Sequence, residues 1–354
     1  MARFLFLTDL HLMARTPARR TGNFEDDMMG KMYWVLIEAH RRNVDAIVCG
    51  GDLFDLPRPS YRLAVRVMKL IREAGLPWLH VLGNHDIMGH NPDTYAHGAL
   101  AFLEQLPNFH ILRDYELGGH VLRAVHYRHG VEELTDWSPL GEKPEVIFAH
   151  VMITPGRTPF PHVLPKDIST RARLVLCGHY HDPWGFAATH KTIEPAEQQA
   201  LATGIQNLLR CTSEERLLLL QPDNLTLFLN PGALARVSYL AHNLGRTPRV
   251  FVVELGEAVE VTAVPVSVAR PAADAFDEGA ALAQRSWDIS VQEFLAAMEN
   301  VKIEGVQAAD VVINAAKARA GVERIDDLPT DQRAVLEHAL EAVAAAEAID
   351  SEEE

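Results

Sequence analysis

Apolar runs of four or five residues recur along the first half of the chain, and each is followed at once by a cluster of polar residues. Residues 4–7, 45–49, 78–82, 146–149 and 174–177 are such runs. Short continuous apolar runs bounded by glycine and polar residues predict strands buried on both faces. Between them, residues 25–42 and 61–74 carry apolar positions at helical spacing, and Gly75 stands where a left-handed cap would end the second helix. Strands alternating with helices predict a parallel sheet whose polar groups gather beyond the strand ends.

The texture changes after residue 217. LLLLQ, LTLFL, VFVVEL and VEVTAVPVSV, separated by polar breaks, predict a second and more antiparallel sheet stacked on the first. Residues 187–216 are richer in polar and helix-forming types and read as an insertion over or beside a site. Over 270–279, Pro271, alanines and acids replace the β pattern. Ser290 and Glu293 fit a capping box for a helix running to about residue 301. Further helices are expected over 306–320, ending at Gly321, and from Pro329 to about residue 348. The expected fold class is α/β, an α+β four-layer arrangement of two stacked mixed sheets flanked by helices. Residues 1–269 would form the main domain and 270–354 an acidic helical C-terminal region.

Composition narrows the classes. With 354 residues, 48% of them hydrophobic, the chain can bury a large core. No apolar run approaches the roughly 18 residues of a membrane span. The opening MARFLFLTDLHL lacks a long apolar segment with a small-residue cleavage site, so a cytoplasmic protein without membrane contact is expected. Cys49, Cys177 and Cys211 are too few and too scattered for a disulfide framework or a zinc ribbon. The formal net charge is −15, yet residues 270–354 hold 19 acids against 7 bases, leaving 29 acids against 26 bases in the body. A near-neutral body can meet a polyanion, whereas the tail repels one.

Five of the polar clusters share a chemistry. They are Asp9-Leu10-His11, Gly51-Asp52-Leu53-Phe54-Asp55, Gly83-Asn84-His85-Asp86, His150 and Gly178-His179-Tyr180-His181. Carboxylate, amide and imidazole donors without thiolate suit two divalent ions, Mn²⁺, Fe²⁺, Mg²⁺ or Zn²⁺. Two such ions about 3.5–4 Å apart clamp a phosphate ester for hydrolysis. Asp9 and His11, two apart on an extended segment, are expected on one side, as are His179 and His181. Asp52 follows a glycine pair that permits a tight turn, and its carboxylate has lone pairs enough for two ions.

Together these motifs resemble the calcineurin-like metallophosphoesterase superfamily over roughly residues 1–265. The resemblance implies the metallophosphoesterase sandwich, with one metal held by Asp9, His11, Asp52 and His181 and a second by Asp52, Asn84, His150 and His179. It also implies a metal-bridging hydroxide that attacks phosphorus in line. His85 is expected to face the substrate and protonate or stabilise the leaving oxygen. Asp55, taken as one helical turn beyond Asp52, would orient His85 by a hydrogen bond, and Asp86 would fix the loop.

The GDLFD form, the PRPSYRL segment after it and an early arginine-rich loop resemble the SbcD-type nucleases of double-strand-break repair. That narrower resemblance implies a Mn²⁺-dependent DNA exonuclease or endonuclease of a repair or phage-replication complex. DNA contacts are expected from Arg15, Arg19 and Arg20, against the rival reading of a solvated loop. His126 and Tyr127 are candidates for the cleft wall, and Arg236, in the loop opened by Asn230-Pro231-Gly232, for a phosphate contact. The implied partner besides DNA is a coiled-coil ATPase of SbcC type. It would dock on two apolar stripes, Phe294, Leu295, Met298, Val301 and Ile303, and Val335, Leu336, Leu340 and Val343, which could equally pack on their own domain. A homodimer is left open. A phosphodiesterase or phosphatase acting on a small phosphoester is the alternative function, and a scaffold subunit that kept the site is a third.

Overall fold

The computed structural model describes residues 1–277 apart from 18, 138–144, 157, 159, 191–193, 221–224 and 239–240. Its strands in chain order begin with β1 (Ala2–Leu7), β2 (Ala46–Cys49), β3 (Trp78–His80), β4 (Phe109–Ile111), β5 (Asp114–Leu117), β6 (His120–Val125) and β7 (Val146–His150). They continue with β8 (Leu174–Gly178), β9 (Trp184–Thr189), β10 (Glu215–Leu219), β11 (Leu225–Asn230), β12 (Arg249–Leu255) and β13 (Val259–Pro265). The helices used below are α1 (Phe24–Arg41), α2 (Tyr61–Ala74), α3 (Ala99–Leu103) and α4 (Pro195–Arg210).

The strands make two mixed sheets, ordered β10-β13-β12-β1-β2-β3-β4 and β5-β6-β7-β8-β11-β9. In the first, β1 to β4 run parallel, while β12 pairs antiparallel with β1. In the second, β6, β7, β8 and β11 are mutually parallel. The two-residue period sorts the side chains by layer. Phe4 and Phe6 of β1 lie in the core between the sheets, and Leu5 and Leu7 face α1 and α2. Phe148 and Leu176 likewise enter the central core, whereas Ile147 and Val175 enter a third cluster on the outer face of the second sheet. Strands buried on both faces must be apolar throughout, which is why they read as continuous runs.

The helices follow their caps. Asn23 accepts from the Asp26 N–H at the start of α1, and Ser60 does the same for Leu63 at the start of α2. Gly75 ends α2 in the left-handed region at φ 67°. The segment after residue 217 departs from the expected separate sheet. Strands β10, β12 and β13 extend the first sheet through β1, and only β11 joins the second. Residues 187–216 supply the end of β9, all of α4 and the start of β10. Ile205 and Leu208 of α4 are buried in the central core, so this helix closes the sandwich rather than covering the site.

Residues Met1–Phe276 form one unit, which includes a short helix at Ala272–Ala275. The helices expected beyond residue 290, with both apolar stripes, lie outside the described residues. Among the described residues no helix is long and apolar enough to cross a membrane. Cys49, Cys177 and Cys211 are buried free thiols.

Candidate metal centre

All five motifs sit on loops or ends at the carboxyl edge of parallel strands: β1, β2, β3, β7 and β8. The chain bends sharply there. Asp9, His11, Asp52 and His179 have φ of 52°, 42°, 52° and 75°, left-handed values that non-glycine residues rarely adopt. Hydrogen bonds between the loops offset that strain. The Asp9 N–H donates to the Gly51 carbonyl at 3.1 Å, and the Leu10 and His11 N–H groups both reach the Asp52 carbonyl at 3.0 Å. The His179 N–H donates to the Asp9 carboxylate at 3.2 Å. Gly51 is at φ 109°, and a Cβ there would lie 2.2 Å from His150 Nδ1, so only glycine fits. Asp9 and His11 therefore converge through two left-handed bends, not through the alternation of an extended segment.

The donors fall into two groups. In one, His11 Nε2 and His181 Nε2 are 3.1 Å apart, and Asp9 Oδ1 is 3.6 Å from the latter. In the other, Asn84 Oδ1 lies 2.8 Å from His179 Nδ1 and 3.1 Å from His150 Nε2. Asp52 Oδ2 stands between them, 3.3 Å from His150 Nε2 and 3.7 Å from His11 Nε2. His179 and His181 thus belong to different groups, although their spacing alone places them on one side. Convergent imidazole nitrogens, a carbonyl oxygen that only accepts and a shared carboxylate fit a divalent ion at each group.

Protonation follows burial and proximity. Burial pushes His11 and His179 down to about 3, so both imidazoles are neutral and ready to ligate near pH 7. Burial raises the Asp9 carboxyl above its ordinary value. Burial also works against the Asp52 anion, but His150, His11 and His85 together hold its carboxyl well below the usual range. His150, although buried, is raised to about 9 by Asp52, and its Nδ1 donates to the Gly50 carbonyl at 2.7 Å.

His85 stands beside both groups, its ring centroid 4.7 Å from that of His11. Its main-chain N–H donates to Asp52 Oδ1 at 2.8 Å. The expected partner is present in a different form: His85 Nδ1 bonds to the Asp55 backbone carbonyl at 2.7 Å. The Asp55 carboxylate instead lies 3.7 Å from His11 Nδ1, and residues 52–55 are not helical. Asp86 anchors the loop as expected, accepting from the N–H groups of Asp52, Leu53 and Gly83. His80, absent from the residues singled out in the sequence, bonds to the same carboxylate at 2.9 Å. The available signal was a histidine inside the apolar strand WLHVL.

Residues 2–183 match the calcineurin-like phosphoesterase family. The chain belongs to that family. With the two donor groups, this makes it a metal-dependent phosphoester hydrolase. It is 25% identical over 199 residues to the DNA double-strand break repair protein Mre11 of Saccharolobus solfataricus, covering 52% of this chain and 50% of that protein. It is 30% identical over 90 residues to the UDP-2,3-diacylglucosamine hydrolase of Shigella dysenteriae, covering 24% of this chain and 33% of the hydrolase. A solved archaeal phosphodiesterase aligns with 71% of this chain and 93% of its own, at 12% identity and a TM-score of 0.34. The chain spans half the length of the first relative and a third of the second.

Around the metal centre of this phosphoesterase, the expected substrate contacts divide. Tyr127 is in place, its ring centroid 5.4 Å from that of His179. His126 is held against the main chain, its Nδ1 accepting the Leu82 N–H at 3.0 Å, so it does not serve the cleft. Arg15 remains available, with its side chain 81% exposed and 3.8 Å from Asp55. Arg19 is half-buried in a left-handed bend. Arg20 is buried against Phe24 and Phe276 and paired with Asp27, which removes it from a basic surface loop. Arg236 is only 3% exposed and donates to the Arg270 carbonyl, so it cannot meet a phosphate from solvent.

Proposed function

We propose that this phosphoesterase hydrolyses phosphodiesters of nucleic acid, acting as a Mn²⁺-dependent DNA exonuclease or endonuclease. The observation that carries the reading is Asp52 Oδ2, set between two donor groups with His85 alongside. Asp9, His11, His181 and Asp52 would hold one ion, and Asn84, His150, His179 and Asp52 the other. When bound, the ions supply Lewis acidity toward water and toward the phosphoryl oxygens. His85 keeps its Nδ1 proton on the Asp55 carbonyl. With a second proton on Nε2, the imidazolium would give that proton to the leaving oxygen as the ester bond to phosphorus breaks, and remain as the neutral ring with its Nδ1 proton in place.

The Mre11 relative favours DNA as substrate, and the near-neutral charge of residues 1–269 does not oppose a polyanion. A coiled-coil ATPase partner belongs to the same proposal, on C-terminal stripes outside the described residues. The UDP-2,3-diacylglucosamine hydrolase relative, 30% identical over 90 residues, favours a second reading in which the substrate is a small phosphoester. The test sets labelled single- and double-stranded oligonucleotides with Mn²⁺ against cyclic nucleotides and a chromogenic diester. DNA cleavage abolished by a chelator supports the first reading. Turnover of small esters without DNA cleavage selects the second.

A further inference from the structure

A cavity of about 340 Å³ opens beside His179. Tyr127 stands where it meets the metal centre, with ring centroids 5.4 Å from His179 and 6.4 Å from His150. A 2.9 Å hydrogen bond between the Tyr127 hydroxyl and His90 Nδ1 fixes that ring. His129 and Phe160 also line the cavity, and Phe160 is 65% exposed. The turn Val131–Glu133 brings Glu132 and Glu133 to the same wall. No lysine or arginine is among the described lining residues.

That chemistry selects a ligand. Two carboxylates, with no lysine or arginine beside them among the described lining residues, disfavour a phosphate and favour a group with N–H donors. Aromatic rings bordering a slot favour a flat π-system, because stacking on Tyr or Phe accepts any base. A carboxylate facing the edge of such a ring accepts from an exocyclic amine, as Glu does from cytosine N4. The volume is that of a small-ligand site, not of a duplex groove.

We propose that this cavity receives the nucleobase of the nucleotide beside the scissile phosphate, and that it prefers bases carrying an exocyclic amine. The inference rests on the nucleic-acid reading above and sharpens it. A base in the cavity has left its stack, so the nucleotide cleaved is unpaired or at an opened end.

The full chain with Mn²⁺ is assayed on bis(p-nitrophenyl) phosphate, which has no base, and on the p-nitrophenyl esters of deoxyadenylate, deoxycytidylate and thymidylate. The adenine and cytosine esters are expected to exceed the baseless diester by about tenfold in kcat/KM, mainly through KM, with thymidylate between. Joint Glu132→Gln and Glu133→Gln substitution should erase the advantage of adenine and cytosine over thymine. Tyr127→Leu should lower the ratio of every nucleotidyl ester to the baseless diester, and thermal unfolding checks that both variants are folded. Equal kcat/KM for all four esters, or an undiminished preference in the folded variants, overturns the base site. A higher kcat/KM for p-nitrophenylphosphorylcholine than for the nucleotidyl esters also overturns it, in favour of a cationic headgroup. Failure to cleave any diester, the baseless one included, removes the nucleic-acid reading itself.

Discussion

His85 Nδ1 lies 2.7 Å from the backbone carbonyl oxygen of Asp55. A carbonyl only accepts, so Nδ1 carries the proton and Nε2 is the nitrogen free to act on substrate. The Asp55 carboxylate is turned to His11 Nδ1, 3.7 Å away, and to Arg15. Main-chain orientation survives a change of side chain. Asp55→Asn is expected to keep kcat on a chromogenic diester within about tenfold of wild type. His85→Ala should lower it by about a hundredfold to ten-thousandfold, as for a lost general acid. Equal losses in the two variants would mean that the carboxylate, not the carbonyl, sets the ring.

Asp86 is the next strongest constraint. Its carboxylate takes the N–H groups of Asp52 at 2.9 Å, Gly83 at 2.8 Å and Leu53 at 3.3 Å, and bonds to His80 at 2.9 Å. All of this is buried, and a lost acceptor leaves several donors without partners. Asp86→Ala is expected to cost about 3 kcal/mol or more in urea unfolding. A loss below about 1 kcal/mol would show that the loops hold Asp52 without it.

How much of this was legible in the sequence depends on range. The ends of β1, β2, β3, β7 and β8 could be read because a buried strand must be apolar and a ligand beyond it must be polar. Helix α2 could be read because its apolar positions keep helical spacing and Gly75 marks its end chemically. Strand pairing could not. The pattern of residues 249–255 predicts a strand but not that it would lie against β1, because its partner is at the other end of the chain. The same limit hid the fates of Arg20 and Arg236. An arginine in a polar loop looks free until Phe24, Phe276 and Arg270 close around it from distant segments. Spacing also misled at His179 and His181, whose backbone bend sends them to different donor groups.

Two buried basic side chains grip the strap that supports Asp9. Lys31 Nζ donates to the Leu234 carbonyl at 2.8 Å, and Arg246 donates to the flanking carbonyls of Ala233 and Ala235. The N–H groups of Leu234 and Ala235 in turn donate to the carbonyls of Thr8 at 2.9 Å and Asp9 at 3.1 Å. Burial, reinforced by Arg236, Arg246 and Arg20, pushes Lys31 well below its ordinary 10.5. The folded chain therefore binds fewer protons than the unfolded one between that depressed value and 10.5, so this lysine makes stability rise with pH across the window. Lys31→Met lacks the effect. Its urea stability relative to wild type should be most favourable near neutral pH and fall as pH rises toward about 10, by at most about 1.4 kcal/mol per pH unit. A stability difference that stays constant with pH would mean that Lys31 keeps its ordinary proton affinity when folded.

The position of Asp52 makes a different demand on metal binding. Its Oδ2 is within 3.7 Å of His11 in one donor group and 3.3 Å of His150 in the other, whereas His181 and His179 each belong to a single group. Equilibrium dialysis of the wild-type chain should therefore find about two Mn²⁺ per chain. His181→Ala and His179→Ala should each lose the ion of their own group and retain most of the affinity for the other. Asp52→Ala should weaken both ions together, because the shared carboxylate also offsets the repulsion between two neighbouring dications. Each outcome is read by metal content and not by turnover, so it separates binding from catalysis. Wild-type affinity for either ion in the Asp52→Ala chain would show that the two groups bind independently and that Asp52 does not join them.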